Sequence, residues 1–183
     1  MNKLYVITGG PGVGKTTLLN ALAADGVAIV AEVARAIIKE QLTIGGDALP
    51  WKDKARYTDL MLVASIRDYK RVVERQPKGI HFFDRSVLDA VCYAEMTGYS
   101  ISPSLMKEAL ACRYHPAIFI LPPWREIYET DTERKQTWEE ARYTYRRLKI
   151  VYQRYGYEII DVPRGNIEKR KKFVSELLLS ERF

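Results

Sequence analysis

Gly9, Gly14, Lys15 and Thr16 meet the spacing GxxxxGK[ST] within the run Gly9-Gly10-Pro11-Gly12-Val13-Gly14-Lys15-Thr16-Thr17. Glycines let successive backbone N–H groups turn inward onto phosphate oxygens, and a helix starting at the last of them offers its positive end. Lys15 adds a mobile cation for the β- and γ-phosphates. Thr16 adds a hydroxyl for magnesium, which takes oxygen ligands and keeps part of its water shell. The run from Gly9 to Thr17 is therefore read as a site for ATP with Mg2+.

Further charged residues stand where strands are expected to end. Asp84 follows Ile80-His81-Phe82-Phe83, the place where a phosphate-loop protein puts the acid that holds magnesium directly or through water. Ser86 offers itself as the cap of the next helix, which leaves Asp84 for the metal. Arg85 is placed to meet a transferred or substrate phosphate. Glu32, after a second strand, suits a general base for an acceptor hydroxyl if that strand lies near the first, with Arg35 one turn on to orient the acceptor. Arg125, Arg134 and Lys135 fall in a charged stretch, so the segment at about 122–136 reads as a lid carrying cations to the transferring group. Plainer readings stand beside these: a structural ion pair for Arg85, an exposed Glu32–Arg35 pair of little energetic consequence, and a solvated loop for the charged stretch.

Positioning such residues requires strands alternating with helices. Lys3 to Thr8 is a short apolar strand, and Leu-rich Thr16 to Ala24 a helix ended by Gly26. Val27 to Val30 reads as a second buried strand, followed by a short helix through Arg35 and Ile38. Leu42 to Trp51, with Gly45-Gly46 and Pro50, is the longest irregular stretch. Asp53 to Gln76 is a long helix with Leu60, Val63, Ala64, Val72 and Val73 as its apolar residues. Ile80 to Phe83 is the third strand. Ser86 caps a helix through Tyr93, and Ser102 with Pro103 starts one through Ala111. Ala117 to Leu121 is the fourth strand. Trp138, Ala141, Tyr145, Leu148, Tyr152 and Tyr155 mark an amphipathic helix, and Glu158 to Val162 a fifth strand. A helix capped by Asn166 turns Phe173, Val174, Leu177 and Leu178 inward, its basic run Lys169-Arg170-Lys171-Lys172 reading as a solvated face. This alternation implies a parallel sheet covered on both faces, with ligands at the carboxyl ends of the strands.

The 183 residues suit a single domain over 1–183, and no repeat or linker interrupts them. A net charge of +6 comes from 29 basic and 23 acidic residues spread along the chain, which argues against a nucleic-acid partner and is met by polyphosphate binding. Cys92 and Cys112 lie in apolar helical patterns and read as buried free thiols, in keeping with a reducing compartment. No leader peptide or membrane-spanning run is seen, so a cytoplasmic location is expected. The lack of an [NT]KxD element argues against a GTPase. Arg85 after Asp84, where remodelling ATPases carry glutamate, argues against that class.

Taken together, the loop, Glu32-Val33-Ala34-Arg35, the aspartate after the third strand and the Arg134-containing lid resemble a small P-loop kinase. More narrowly, nearly the whole chain resembles the AAA_28-type ATPase/kinase family, which includes ribosylnicotinamide kinases. Asp84-Arg85-Ser86 is similar to the signature of deoxynucleoside and thymidylate kinases, and Glu32 stands where those enzymes carry a glutamate base. Val33 departs from them, since their glutamate is followed by proline. The resemblance implies a three-layer α/β/α P-loop NTPase fold, its five parallel strands in the order 2-3-1-4-5, with an adenine pocket around Pro163 and Arg164. It also implies an ATP-dependent kinase for a small nucleoside-like or vitamin-like acceptor. The alternative is a small ATPase or nucleotide-gated regulator acting on a macromolecular partner.

Overall fold

The structure is a computed structural model that describes residues 3–75, 78–127 and 137–179. Its elements follow in the order β1 (Leu4–Gly9), α1 (Lys15–Ala24), β2 (Ala28–Val30), α2 (Val33–Ile44), α3 (Lys54–Glu74), β3 (His81–Asp84) and α4 (Val87–Thr97). After these come α5 (Pro103–Ala111), β4 (Ala117–Leu121), a 3-10 turn at Arg125–Ile127, α6 (Trp138–Arg154), β5 (Glu158–Asp161) and α7 (Ile167–Leu179). Five strands form one sheet in the order β2-β3-β1-β4-β5, the expected α/β arrangement. Central β1 runs parallel to β3, with Val6 opposite Phe83, and parallel to β4, with Ile7 opposite Phe119.

Two compact units make up the chain. The first comprises Met1–Ile29, Gly79–Asp84 and Tyr114–Phe183, the second Val30–Lys78 and Arg85–Arg113. In the first unit, Ile7, Leu18, Leu22, Phe82, Phe119 and Val174 are nearly or wholly buried in one apolar cluster. Tyr5, Phe82 and Phe119 meet there in tilted pairs with ring centroids 5.5 to 6.2 Å apart. Continuous apolar runs such as Ala117–Leu121, buried at every position, are what a strand with both faces covered requires.

In the second unit α3 buries Tyr57, Thr58, Met61, Leu62, Ala64 and Ile66. Leu60, Val63 and Val73, read above among its apolar residues, are exposed instead. The helix carries apolar residues on two faces, and burial selects the stripe that starts at Tyr57. Two other expectations change. Ala28 of β2 is exposed and its neighbours are half-buried, because β2 is an edge strand. The short helix after Glu32 runs twelve residues, to Ile44, so the irregular stretch begins only at Gly45.

Helix starts follow the sequence closely. Ser86 accepts from the Leu88 N–H while Asp89 accepts from the Ser86 N–H, a reciprocal capping box. Ser102 caps α5, with Pro103 in its first turn. Asn166 accepts from the Lys169 N–H at the start of α7. Both cysteines are buried. Among the described residues no helix is long and apolar enough to cross a membrane.

Phe119 is wholly buried between the rings of Tyr5 and Phe82. Phe119→Ala is expected to destabilise the protein by about 3–5 kcal/mol through lost burial and the cavity left behind, measured as the shift in a urea-unfolding curve followed by circular dichroism.

Candidate functional site

In the first unit the phosphate loop leaves β1 at Gly9 and enters α1 after Gly14. Gly9 lies opposite Leu121 of β4 at a φ of 142°, and a Cβ there would stand 2.7 Å from the Leu121 carbonyl oxygen. Only glycine allows the strand to end so close to its neighbour. Gly14, at φ 82°, is the N-cap of α1. It brings no capping side chain, and the first turn of α1 carries no acid. The N–H groups of a helix's first turn have no partner within the helix. Among the described residues, then, α1 presents a bare positive end with no side-chain acceptor from its own cap.

Lys15 is buried although it is charged. Its Nζ donates to the carbonyl oxygens of Gly9 at 3.1 Å and Gly10 at 3.0 Å, so the side chain folds back along the loop. Thr16 and Thr17 are exposed. Asp84 closes β3 directly opposite Ile7, two residues before the loop, and its Oδ1 is buried. A Thr hydroxyl and an Asp carboxylate are hard oxygen donors, few in number, and so fit magnesium rather than a softer metal. With Ser86 capping α4, Asp84 is not consumed by that role.

The second unit draws Glu32, Arg35, Arg85 and Asp89 into one ion cluster. Arg85 donates from Nε to Glu32 at 2.7 Å and from Nη1 to Asp89 at 3.1 Å. Arg35 Nε stands 3.5 Å from the other Glu32 oxygen. Glu32 and Asp89 are mostly buried in these pairs, while Arg35 is half-exposed. Thus the Glu32–Arg35 pair read as exposed from sequence is one side of a larger, partly desolvated cluster, where charge pairing counts for more than at an open surface. Arg85 has a φ of 72°, and among the described residues no other non-glycine has a positive φ. A non-glycine residue in that region costs of order 1–3 kcal/mol and persists where its surroundings over-determine it. Here the two carboxylates do so.

Three residues escaped the sequence reading. Tyr57 on α3 is buried edge-on to Tyr93, with centroids 5.6 Å apart. Burial chiefly, helped by Tyr93 and the charge of Glu32, pushes its hydroxyl well above the ordinary tyrosine range, and Arg85 opposes this, so the phenol stays protonated beside the cluster. No sequence signal separates its stripe, shared with Met61 and Leu62, from the other apolar face of α3. Arg170 of α7 was assigned to a solvated face but is buried, its guanidinium 5.8 Å from the centre of the Trp124 ring. The signal was its spacing: Ile167, Arg170, Val174 and Leu177 lie on one stripe, and only the arginine is not apolar. Trp124 is the third, visible beforehand only as the first residue after a proline stop. Arg164 donates to the Pro123 carbonyl oxygen at 2.7 Å, and Arg125 lies over the Trp138 ring. Arg134 and residues 128–136 of the expected lid lie outside the described residues.

Comparison with known proteins agrees with this architecture. The profile of AAA_28, an AAA domain, matches residues 4–170. MnmE, a tRNA modification GTPase of Neisseria meningitidis serogroup C / serotype 2a, is 35% identical over 101 residues, 47% of this chain and 22% of that protein. A crystal structure of NadR protein in complex with NR aligns with a TM-score of 0.71 at 20% identity, over 96% of this chain and 50% of that one. Thymidylate kinase from Ehrlichia chaffeensis aligns with a TM-score of 0.60 at 14% identity, over 98% of this chain and 100% of that one. The chain spans less than a quarter of the MnmE protein and half of the NadR chain. These likenesses establish the α/β fold of P-loop kinases and other nucleotide-binding proteins.

Arg85→Gly separates strain from pairing. Relief of the left-handed backbone offsets part of the lost ion pairs, so thermal unfolding is expected to change by no more than about 1 kcal/mol. Arg85→Ala, which keeps the strain and loses the pairs, is expected to be the less stable of the two by about 0.5–1 kcal/mol in the same calorimetric scan.

Proposed function

The chain belongs to the AAA_28 family of AAA domains, and from that premise we propose that it is an ATP-dependent kinase for a small nucleoside-like or vitamin-like acceptor. In this reading Gly9 to Thr17 hold ATP, and Thr16 and Asp84 hold its magnesium. Glu32, Arg35 and Arg85 receive the acceptor. The observation that carries it is the second unit's cluster: an arginine kept in a strained conformation by two carboxylates, immediately after the residue assigned to the metal. Such an arrangement gathers a carboxylate and cations for an acceptor, which nucleotide binding alone does not require.

The chemistry asked of these groups is mostly positioning and charge. Lys15 leaves the Gly9 and Gly10 carbonyls for the β- and γ-phosphate oxygens, exchanging two neutral acceptors for anionic ones, which bind a cation more strongly. Arg85 neutralises charge that develops as the phosphoryl group moves. Arg85 and Arg35 orient the Glu32 carboxylate, which is assigned to take the acceptor's hydroxyl proton. Magnesium, when bound, would be held by Thr16 and Asp84 and would draw off negative charge from the phosphate oxygens.

One observation favours a second reading, the sequence likeness to part of a GTPase that modifies tRNA. It fits a nucleotide-gated regulator acting on a macromolecule. Nucleotide consumption separates the two. Under the kinase reading, ATP use depends on an added acceptor in a screen of nucleosides, ribosylnicotinamide and other vitamin-like alcohols, and GTP does not replace ATP. Steady hydrolysis that no small molecule stimulates would favour the regulator.

Glu32→Gln is expected to slow transfer by about 10²–10⁴-fold, the usual weight of a general base, while ATP affinity measured by calorimetry stays unchanged. Loss of ATP binding in that variant would sink the base assignment. Lys15→Ala is expected to weaken nucleotide binding or turnover under either reading.

A further inference from the structure

Arg170 is the one charged member of the inward stripe of α7, and what surrounds it does not balance its charge. The side chain is 6% exposed. Its Nη1 reaches the Val13 carbonyl oxygen only at 3.5 Å, and its Nε is buried without a hydrogen-bond acceptor. The Trp124 ring is its other neighbour, at a distance typical of a cation over an aromatic face. No carboxylate among the described residues pairs with it. The nearby acids of α7 are engaged elsewhere, Glu168 with Lys171 and Glu176 with Lys172. Burial lowers its pKa from the ordinary arginine value, and no acid acts to restore it. A guanidinium does not lose its proton in a protein, so the charge stays.

This charge stands against the phosphate loop. A Cβ placed on Gly14 would lie 2.7 Å from Arg170 Nη1, so the absent side chain of Gly14 is what gives the guanidinium its space. A buried charge without a partner lowers the stability of a protein, and an apolar residue of like volume would serve the interface of α7 better. Keeping arginine on an otherwise apolar stripe makes sense when an anion completes the site. Gly14 is also the residue whose following helix turn points its N–H groups outward with no side-chain cap. Resting on the nucleotide-binding reading of that loop, we propose that Arg170 is a positioning residue for the phosphate loop. Its buried charge fixes Val13 and Gly14 and is balanced by the polyphosphate of a bound nucleotide.

The proposal makes the contribution of Arg170 scale with phosphate charge. Affinities of the full chain and of R170M for adenosine, AMP, ADP and ATP with magnesium, measured by titration calorimetry, test it. R170M is expected to bind ATP at least about tenfold more weakly, the weight of one charged contact, with a smaller loss for ADP, less again for AMP and none for adenosine. R170Q drops the charge but keeps hydrogen-bonding groups, and is expected to show the same grading. R170K keeps a charge without the flat guanidinium and is expected to fall between. An unchanged ATP affinity with a lowered melting point in the nucleotide-free variants would reduce Arg170 to packing. An equal loss for all four ligands would assign it to the base or to collapse of the loop. Either result overturns the proposal and leaves the kinase reading standing. Failure of the unaltered chain to bind any nucleotide overturns both.

Discussion

The end of β1 is the constraint from which the first unit follows. Hydrogen-bonded on both sides, β1 cannot shift without breaking two ladders, and at Gly9 its backbone meets the Leu121 carbonyl with no space for a side chain. The loop therefore starts from a point fixed by the sheet rather than by its own residues. Loops with four glycines in six positions have much conformational entropy to lose. A rigid origin at Gly9, a helix start at Gly14 and the Lys15 side chain bonded back onto the loop together reduce what a ligand has to order. Preorganisation of this kind is where a phosphate site gains affinity without new contacts.

The second unit solves a different problem. Its charges sit at the cap and in the first turn of α2, on α4 and on the residue before the α4 cap, and they hold each other: Asp89 serves the helix cap and Arg85 at once, and Glu32 takes Arg85 on one oxygen and Arg35 on the other. Removing Arg85 would take the cation from Asp89 and from one Glu32 oxygen at once, which is costly where both carboxylates are mostly buried. The cluster also maintains the left-handed backbone at Arg85. Strain held by a polar network is a poor way to gain stability and a good way to fix the direction of a guanidinium.

Most of the fold was legible because its signals are local. Ala117–Leu121, Ser102-Pro103 and Ser86 each act within a few residues, through continuous burial or a capping hydrogen bond, and the structure places strand and caps there. What the sequence hid was the phase of burial. On α3, apolar residues lie on two faces, and nothing local says that Tyr57 and Met61 face inward while Leu60 and Val63 do not. At the candidate site, the glycine turn and the helix start after Gly14 could be read from the motif alone, because both depend on consecutive residues. The ion cluster could be read only as residues: Glu32 and Arg85 are 53 positions apart, and their pairing is a property of packing.

Arg170 shows the same limit from the other direction. Within Lys169-Arg170-Lys171-Lys172 the four cations look alike, and composition assigns them all to solvent. Helical phase separates them: Lys171 reaches Asp25 and Lys172 reaches Glu176 at the surface, while Arg170, on the line from Ile167 to Val174, is carried inward to the loop. Arginine suits that position in a way lysine does not. Its flat, weakly hydrated guanidinium lies against an indole and a backbone carbonyl and loses less on leaving water than an ammonium would. A surplus of positive charge can thus be met in two ways at once, by solvated residues at the surface and, on the proposal above, by one buried residue whose balance comes from a ligand. Net charge reports the first and conceals the second, because it counts residues without regard to which of them the fold has removed from water.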